Sequence, residues 1–465
     1  MKPISALAIA ANMHKQLVSH LFSGDGLESA AILLCSHSSG SRLRLIAKDV
    51  IFVNNEDCKN RARNSITWSG SFLEAAIDKA ESDQLSIILI HSHPGGQFFF
   101  SDTDNESDQI TIPCLYHGYN QLHGSAIMIP NGAILARCYT QSMDVVRIDV
   151  VTVAGENIHY WWNNEANPGQ RPLAFSQNMT RELNCLTATI IGVSGTGSIV
   201  AEQLARLGFG SITLIDPDKL EHRNLNRILN STIGGANANQ LKVEAFAEVV
   251  SKYRAQDTDI ITVASSILSR EAVIAASQTD IIFCCVDTLE ARNIADLISS
   301  TFLTPLLDVG VVIPTHNSKS GITAITEVCG RIDYVQPGGA TLSDRGVYDP
   351  ANLRAEYLRN NSPKSYIEEL EDGYFKGVIE EAPSVITLNM RAAADCVNEF
   401  IARAYPYRQE PNNSYARTKF SLAAGEVDYF KESSFTVKPN YHLAQGNKEP
   451  LLGLPVLKPV NRTSV

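Results

Sequence analysis

No apolar run in this 465-residue chain reaches eighteen residues, so the sequence offers no membrane-spanning helix. Its nine cysteines include no C-x-x-C pair. That spacing excludes a disulfide framework and a four-cysteine zinc knot, and the thiols read as reduced, mostly buried fillers. A basic excess is missing too: 39 Lys and Arg stand against 50 Asp and Glu, for a net charge of −11. Neither nucleic acid nor an anionic membrane is therefore expected as a partner. Residues 1–12 (MKPISALAIAAN) make a poor secretion signal, because the apolar run is short and His14 and Lys15 follow it. They are expected to begin a helix or strand, and the expected compartment is the cytoplasm. No internal repeat or low-complexity tract is apparent.

A chain of this length predicts two or three domains. Up to about residue 150, short strand-like runs (AAILLC, LRLIAKDVIFV, LSIILI, SAIMIP, GAILARCY) surround one helical stretch, SFLEAAIDKAES. That mixture predicts an α+β domain over 1–153. Residues 154–178 are polar, rich in Asn, Gly and Pro, and read as a linker that docks through Trp161 and Trp162. From 179 to 405 strands alternate with helices, which predicts a mainly parallel sheet with crossover helices. Pro383 and Ser384 open a last predicted helix. Residues 406–465 form a C-terminal extension without a recognisable site.

Gly192-Val193-Ser194-Gly195-Thr196-Gly197 stands where a strand becomes a helix, and Asp216 closes the next strand. Backbone N–H groups and a helix N-terminus there would face an anion, with the acidic residue on ribose hydroxyls. Alone, this turn fits a nicotinamide or flavin dinucleotide as well. The following stretch, LIDPDKLEHRNLNR, adds Asp218, Asn224 and Arg227, and then come Lys242 and the strand-end Asp287. Arg227 and Lys242 can neutralise β- and γ-phosphate charge while a carboxylate attacks the α-phosphate, and Asp287 can hold Mg²⁺. The set resembles the ThiF/MoeB-type adenylating superfamily, which includes ubiquitin-activating enzymes, over roughly residues 180–400. The resemblance implies a Rossmann-like domain that binds ATP and Mg²⁺ through Gly192, Gly195, Thr196, Gly197, Asp216, Asp218, Asn224, Arg227, Lys242 and Asp287. Its implied substrate is the C-terminal glycine of a ubiquitin-like protein, and its implied assembly is a homodimer, with Arg181 a candidate to reach across. Arg292 reads equally as a site residue or a packing residue.

Two departures from that pattern matter. Ile228 stands where members commonly have Gln. The stretch Pro337 to Asp344 matches a Pro-Gly-x-x-Cys-x-x-Cys element that has lost both cysteines, so no structural zinc is expected there. Either the chain stops at the acyl-adenylate, or a hydroxyl such as Thr341 or Ser343 accepts the acyl group. Cys285 and Cys329 lie in apolar runs and read as packing residues.

His91-Ser92-His93-Pro94 ends an apolar strand, and Ser101 and Asp104 follow. Histidines two apart on a strand point the same way, so both can reach one cation. Asp104, from the following loop, adds a third ligand and leaves one zinc position for water. Glu28, just before the first buried strand, is placed to act as general base, with Glu74 and Glu81 as fallbacks, and Ser101 could donate to an oxyanion. Asp102, Glu106 and Asp108 read as solvated loop charges. The H-S-H-P-x6-S-x-x-D spacing resembles the JAMM (JAB/MPN) metalloproteases, which cleave after the terminal glycine of ubiquitin-like proteins. That resemblance implies a cytidine-deaminase-like α+β fold and a zinc site of His91, His93 and Asp104.

Both resemblances imply one substrate terminus, activated by the second half and released by the first. The implied protein is a bifunctional α/β enzyme working beside a ubiquitin-conjugating-like protein. The alternative is activation of a sulfur carrier for cofactor synthesis, with the first half processing that carrier.

Overall fold

The computed structural model describes residues 4–116, 121–163, 169–254, 257–317, 323–364, 366–367 and 385–459. The first half contains β1 (Ser5–Ala10), α1 (Ala11–Leu21), β2 (Ala30–His37), β3 (Leu43–Phe52), β4 (Cys58–Arg61), β5 (Ile66–Trp68), α2 (Ser71–Glu81), β6 (Ser86–Ser92), α3 (Asp102–Leu115), β7 (His123–Met128), β8 (Ile134–Tyr139), β9 (Val145–Arg147), β10 (Val150–Ala154) and β11 (Ile158–Trp162). Nine of these strands make one mixed sheet in the order β11-β10-β1-β3-β2-β6-β7-β8-β9. The expected strands all form, because runs such as Ala30–Cys35 and Ile87–Ile90 present near-continuous apolar surface to both faces of the sheet.

The second half contains α4 (Gln177–Leu183), β12 (Thr187–Ile191), α5 (Gly195–Leu207), β13 (Ser211–Ile215), α6 (Ile233–Asn237), α7 (Lys242–Arg254), β14 (Asp259–Val263), α8 (Arg270–Ser277), β15 (Ile281–Cys284), α9 (Leu289–Phe302), β16 (Leu306–Val312), the hairpin β17 (Thr315–Asn317) and β18 (Thr323–Ile325), β19 (Cys329–Val335), α10 (Pro350–Asn361), α11 (Ile386–Ala404), β20 (Arg417–Ser421) and β21 (Glu426–Phe430). Its main sheet runs β14-β13-β12-β15-β16-β19-β20-β21. The first five strands are parallel, and the last three continue antiparallel. The order reverses at β12: the chain goes outward to β13 and β14, then returns to β15 on the other side. A crevice at the carboxyl ends of β12 and β15 is the consequence, the usual ligand position in open α/β sheets. Pro383 and Ser384, read as the start of α11, lie outside the described residues.

Two expectations need correction. Part of the region read as a linker is sheet: β11 pairs antiparallel with β10, from Ala154↔Ile158 to Val150↔Trp162. Trp161 is buried among the first half's own core residues. Trp162 does dock as expected: with Tyr160 and Ile158 it packs on Leu183, Ala188 and Phe400 in an apolar cluster common to both halves. The stretch read as a loop after Pro94 contains α3, whose N-terminus is fixed by a cap described below.

The halves are joined by buried polar contacts as well as by apolar packing. Arg44 of β3 is fully buried and donates to the carbonyls of Phe302 at 2.6 Å and Ser277 at 3.3 Å. Arg42 pairs with Asp280 at 2.9 Å. The C-terminal extension spans the seam: Ser36 Oγ donates to the Ala444 carbonyl at 2.8 Å, and the Asn447 N–H donates to the His37 carbonyl at 2.7 Å. Gly446 N–H bonds the Thr301 carbonyl in the same stretch, at 3.0 Å. Among the described residues no helix is long and apolar enough to cross a membrane.

Candidate metal centre and nucleotide site

The register of two antiparallel strands builds the first site. Ala30 of β2 faces His91 of β6, and the pairing continues beyond the strand ends, since Ser92 N–H bonds the Ser29 carbonyl at 2.9 Å. Two residues further along the same face, Glu28 stands opposite His93. A carboxylate oxygen of Glu28 and one ring nitrogen from each histidine lie within 4.8 Å of one another. Glu74 and Glu81, on α2, are exposed and outside this cluster.

Asp104 arrives from the first turn of α3. Ser101 is the N-cap: its Oγ accepts from Asp104 N–H at 3.2 Å, while Asp104 Oδ2 accepts from Ser101 N–H at 2.7 Å and from Ser101 Oγ at 2.8 Å. This reciprocal capping box locks the aspartate's rotamer. Asp104 Oδ1 sits 3.0 Å from His91 Nε2 and Oδ2 sits 3.3 Å from His93 Nε2, with 3.1 Å between the two imidazole nitrogens. A tetrahedron with ligand arms of 2.0–2.1 Å has edges of about 3.3 Å. The two imidazole nitrogens are spaced near that edge, and Asp104 meets each of them with a different carboxylate oxygen, so it borders the Glu28, His91 and His93 cluster. His93 Nδ1 donates to the Gln97 carbonyl at 2.9 Å, which turns Nε2 toward His91 and Asp104.

Electrostatics follow from burial and neighbours. Burial raises the Glu28 carboxyl above its ordinary value, against the two imidazoles, which pull it down. Burial alone would lower His93, but its bonds to Asp104 and the Gln97 carbonyl outweigh this and hold the ring higher. Burial works to raise the Asp104 carboxyl, yet the two histidines hold it well below the usual carboxylate range.

Three readings change here. Asp104 belongs to a helix, not a loop. The single O–H of Ser101 is directed at Asp104, so it donates to a reacting oxygen only after leaving that partner. Asp108 is buried, not solvated, and accepts from Ser125, Arg137 and Tyr139. Asp102 and Glu106 are exposed, as expected.

The second site lies at the carboxyl ends of the parallel strands. Gly192 adopts φ +86°, and a Cβ on it would stand 3.0 Å from the Cys285 carbonyl. At Gly197 a Cβ would fall 1.8 Å from the Gly192 carbonyl oxygen, so α5 leaves the turn at a distance only glycine permits. Asp216, after β13, is buried: its Oδ2 accepts from Val193 N–H at 2.7 Å and its Oδ1 from Asp218 N–H at 2.9 Å. Burial raises its carboxyl, against the attraction of Lys242. Lys242 Nζ lies 2.7 Å from Asp218 Oδ2 and 3.7 Å from Asp216 Oδ1. Asn224 is buried and caps the short turn before it, with Oδ1 accepting from Glu221 N–H at 3.0 Å. Arg227 hangs over the helix start, its Cδ 3.4 Å from where a Cβ on Gly195 would be, and Thr196 Oγ1 reaches Asn389 Oδ1 at 3.3 Å. Asp287 follows β15 and is exposed on the same edge. Because β13, β12 and β15 are adjacent and parallel, the glycine turn, Asp216, Lys242 and Asp287 share one end of the sheet.

Arg292 is buried and both packs and borders the site: its Nε lies 3.1 Å from Asp308 Oδ1, and its Nη1 donates to the Asp287 carbonyl at 3.5 Å, next to the nucleotide edge. The remaining candidates fall elsewhere. Arg181 is on α4 and bonds Asn178 at 3.2 Å. Ile228 packs with Leu220 and Ala245. Thr341 and Ser343 are not brought to the nucleotide edge. β19 runs antiparallel to β16 and delivers the chain to the opposite end of the sheet, after which Leu342 N–H bonds Asp296, halfway down α9. Seven residues of helix separate Asp296 from Leu289, about 10 Å. Thr341 is further engaged in a turn with Asp344, two bonds of 3.1 Å each. Burial pushes up the thiols of Cys185, Cys284, Cys285, Cys329 and Cys396 alike. β-pairing places Cys329, opposite Val312 at the end of β16, and Cys284, opposite Ile191 at the end of β12, at the nucleotide edge, with Cys285 against the glycine turn.

Residues 10–144 match the family of prokaryotic homologs of the JAB domain, and residues 170–358 match the ThiF family. Among curated proteins, ubiquitin-like modifier-activating enzyme 5 of Drosophila willistoni is 27% identical over 191 residues, 37% of this chain and 43% of that protein. The Drosophila virilis enzyme of the same name is 30% identical over 191 residues, 37% of this chain and 44% of that one. The chain thus spans less than half the length of these relatives. Among solved structures, E. coli MccB with succinimide aligns over 55% of this chain and 66% of its own, at 18% identity and a TM-score of 0.41. The chain is a JAB domain joined to a ThiF domain.

Proposed function

We propose that the second half adenylates the C-terminal glycine of a ubiquitin-like protein with ATP and Mg²⁺, and that the first half is a zinc peptidase cutting after that glycine. What carries the reading is the pairing itself: JAB and ThiF domains on one chain, the latter related to proteins named as activating enzymes for ubiquitin-like modifiers. In adenylation a glycine carboxylate oxygen bonds to the α-phosphorus of ATP while the bond to pyrophosphate breaks and pyrophosphate leaves. N–H groups of the turn from Gly192 to Gly197 face the phosphates, and Asp216 takes the ribose hydroxyls. Arg227 and Lys242 offset charge on the leaving pyrophosphate, with Lys242 exchanging Asp218 for phosphate, and Asn224 belongs to the nucleotide-binding set. Asp287 would hold Mg²⁺.

In cleavage, His91, His93 and Asp104 would hold zinc, which supplies Lewis acidity toward water. Glu28 would take a proton from water as the water oxygen bonds to the glycine carbonyl carbon, and return it to the leaving amine as the C–N bond breaks and the glycine carboxylate is released. Ser101 keeps Asp104 in place. All five thiols of the second half are pushed up by burial, and Thr341 and Ser343 sit far down α9. These placements support an end product of acyl-adenylate, passed to an acceptor on a separate, conjugating-like protein. A homodimer formed through the ThiF half is part of the same reading.

ATP–pyrophosphate exchange that appears only with a small protein ending in glycine tests the activation step. Exchange without such a protein, or none with any candidate while the chain still binds it, overturns the step. Loss of thiamine or molybdopterin synthesis on gene deletion would turn the reading toward a sulfur carrier. A thiol-sensitive adduct that disappears in Cys329→Ser would overturn the acyl-adenylate end point.

A further inference from the structure

Arg137, on β8, lies outside the metal cluster, yet its guanidinium spans the first two turns of α3. The plane stacks on Phe100, with Cζ 3.7 Å from the ring centre. Nη1 donates to Asn105 Oδ1 at 2.6 Å, and Nε and Nη2 donate to Asp108 Oδ2 at 3.0 and 2.6 Å. Phe100 immediately precedes Ser101, and Asn105 immediately follows Asp104, so the grip brackets the turn that carries Asp104. The same Asp108 oxygen receives Ser125 Oγ of β7 at 2.5 Å and Tyr139 Oη of β8 at 2.8 Å. The buried apolar residues of α3, Ile112 and Leu115, come only in its last turns. Its first turn is therefore tied to the sheet by polar contacts. That sheet includes β7, whose Ile127 pairs with His91.

We propose that Arg137 is a positioning residue for the metal centre, acting through Asn105 and Asp108 to hold Asp104 against His91 and His93. The inference rests on reading that cluster as a metal site. A planar fork with donors on three nitrogens, stacked on an aromatic face, can serve both partners at once; a lysine ammonium cannot span them. Without the fork, Ser125 and Tyr139 still tie Asp108 to the sheet, but the turn that carries Asp104 loses the bond at Asn105 and the stack on Phe100. Loss of a group bonded directly to a ligand weakens metal binding by about 10- to 100-fold, and loss of Arg137, one bond further out, should not exceed that range.

The test uses the full chain, zinc titrated against a chromophoric chelator, and the visible ligand-field bands of the cobalt(II)-loaded protein. Wild type is expected to take up one zinc. Arg137→Met should bind it more weakly, by up to about 100-fold, with altered cobalt bands. Arg137→Lys should behave like the methionine variant, which a role of bulk charge would not produce. Asn105→Ala, on the exposed side, removes one bond without unpairing Asp108 and should give a smaller loss in the same direction; it decides the matter if Arg137→Met fails to fold. ATP–pyrophosphate exchange should be unchanged in each. Zinc affinity and cobalt bands equal to wild type in both Arg137→Met and Asn105→Ala overturn the inference. A wild-type chain that takes up no zinc instead overturns the metal reading, and the inference with it.

Discussion

Replacing Gly197 with alanine tests the nucleotide site at its tightest point. The added methyl would lie 1.8 Å from the Gly192 carbonyl oxygen, and real contacts of this kind essentially never fall below 3.0 Å. The neighbour is backbone, so no side chain can swing away. The start of α5 and the end of β12 must part by roughly 1.2 Å, and Cys285 Cβ at 3.2 Å blocks one escape direction. Overpacking of this kind costs about 1–3 kcal/mol, which a chain with this much shared core survives. The functional penalty is larger, because a misplacement of about 1 Å in a catalytic site lowers rates on the order of 100-fold. Gly197→Ala should therefore lose about 100-fold or more in ATP–pyrophosphate exchange, while zinc-dependent cleavage stays at wild-type level. Exchange within threefold or so of wild type would refute the argument that this turn sets the phosphate position.

Glu28→Gln should lower cleavage by roughly 100- to 10,000-fold with exchange intact, assayed on a peptide fusion to the modifier; parallel loss of both activities would break the division of labour. Ser101→Ala should destabilise the start of α3 by about 1 kcal/mol and reduce zinc affinity as well as cleavage; a rate effect with unchanged affinity would instead assign its hydroxyl to the reacting oxygen. Burial pushes the Asp296 carboxyl up to about 7, against its bonds from Tyr348 and Leu342. A raised folded value means stability present below the unfolded value, near 3.9, and lost as pH rises through about 7. Between pH 5 and 8 this group should remove about 2–3 kcal/mol, and Asp296→Asn should flatten that part of the profile in thermal unfolding; equal slopes for the two chains would count against it.

The strands and crossover helices of the second half were legible because apolar runs such as Ile281–Cys284 alternate with amphipathic stretches opened by Ser269 and Thr288 or closed by Gly208. The first half's strands were legible for the same reason. α3 was not: it carries few apolar residues and Pro113, although Ser101-x-x-Asp104 was a capping signal in plain view. β11 was hidden by its Asn-rich surroundings, and only the β-favouring aromatic run Tyr160-Trp161-Trp162 marked it. Motif spacing anticipated the convergence of His91, His93 and Asp104, the histidines through the period of two along β6 and Asp104 through the cap of α3. Glu28 came from the family resemblance and is brought in by the pairing of β2 with β6. Arg137 was invisible, because nothing in a sequence says that a guanidinium on β8 will lie along a helix formed more than twenty residues earlier. The displacement of Thr341 and Ser343 was equally hidden, since it depends on β19 reversing direction.

The cluster that unites Tyr160, Leu183 and Phe400 has a consequence for how such a fusion evolves. Two enzymes tethered by a loose linker can be separated again by a single break in the gene. Here a break would leave each product with a bare apolar flank, with Arg44 and Arg42 parted from their carbonyls and carboxylate. Fission thus requires many surface substitutions before either product is soluble. The fusion works as a ratchet, and the cell is held to making the ThiF and JAB domains in a fixed one-to-one ratio.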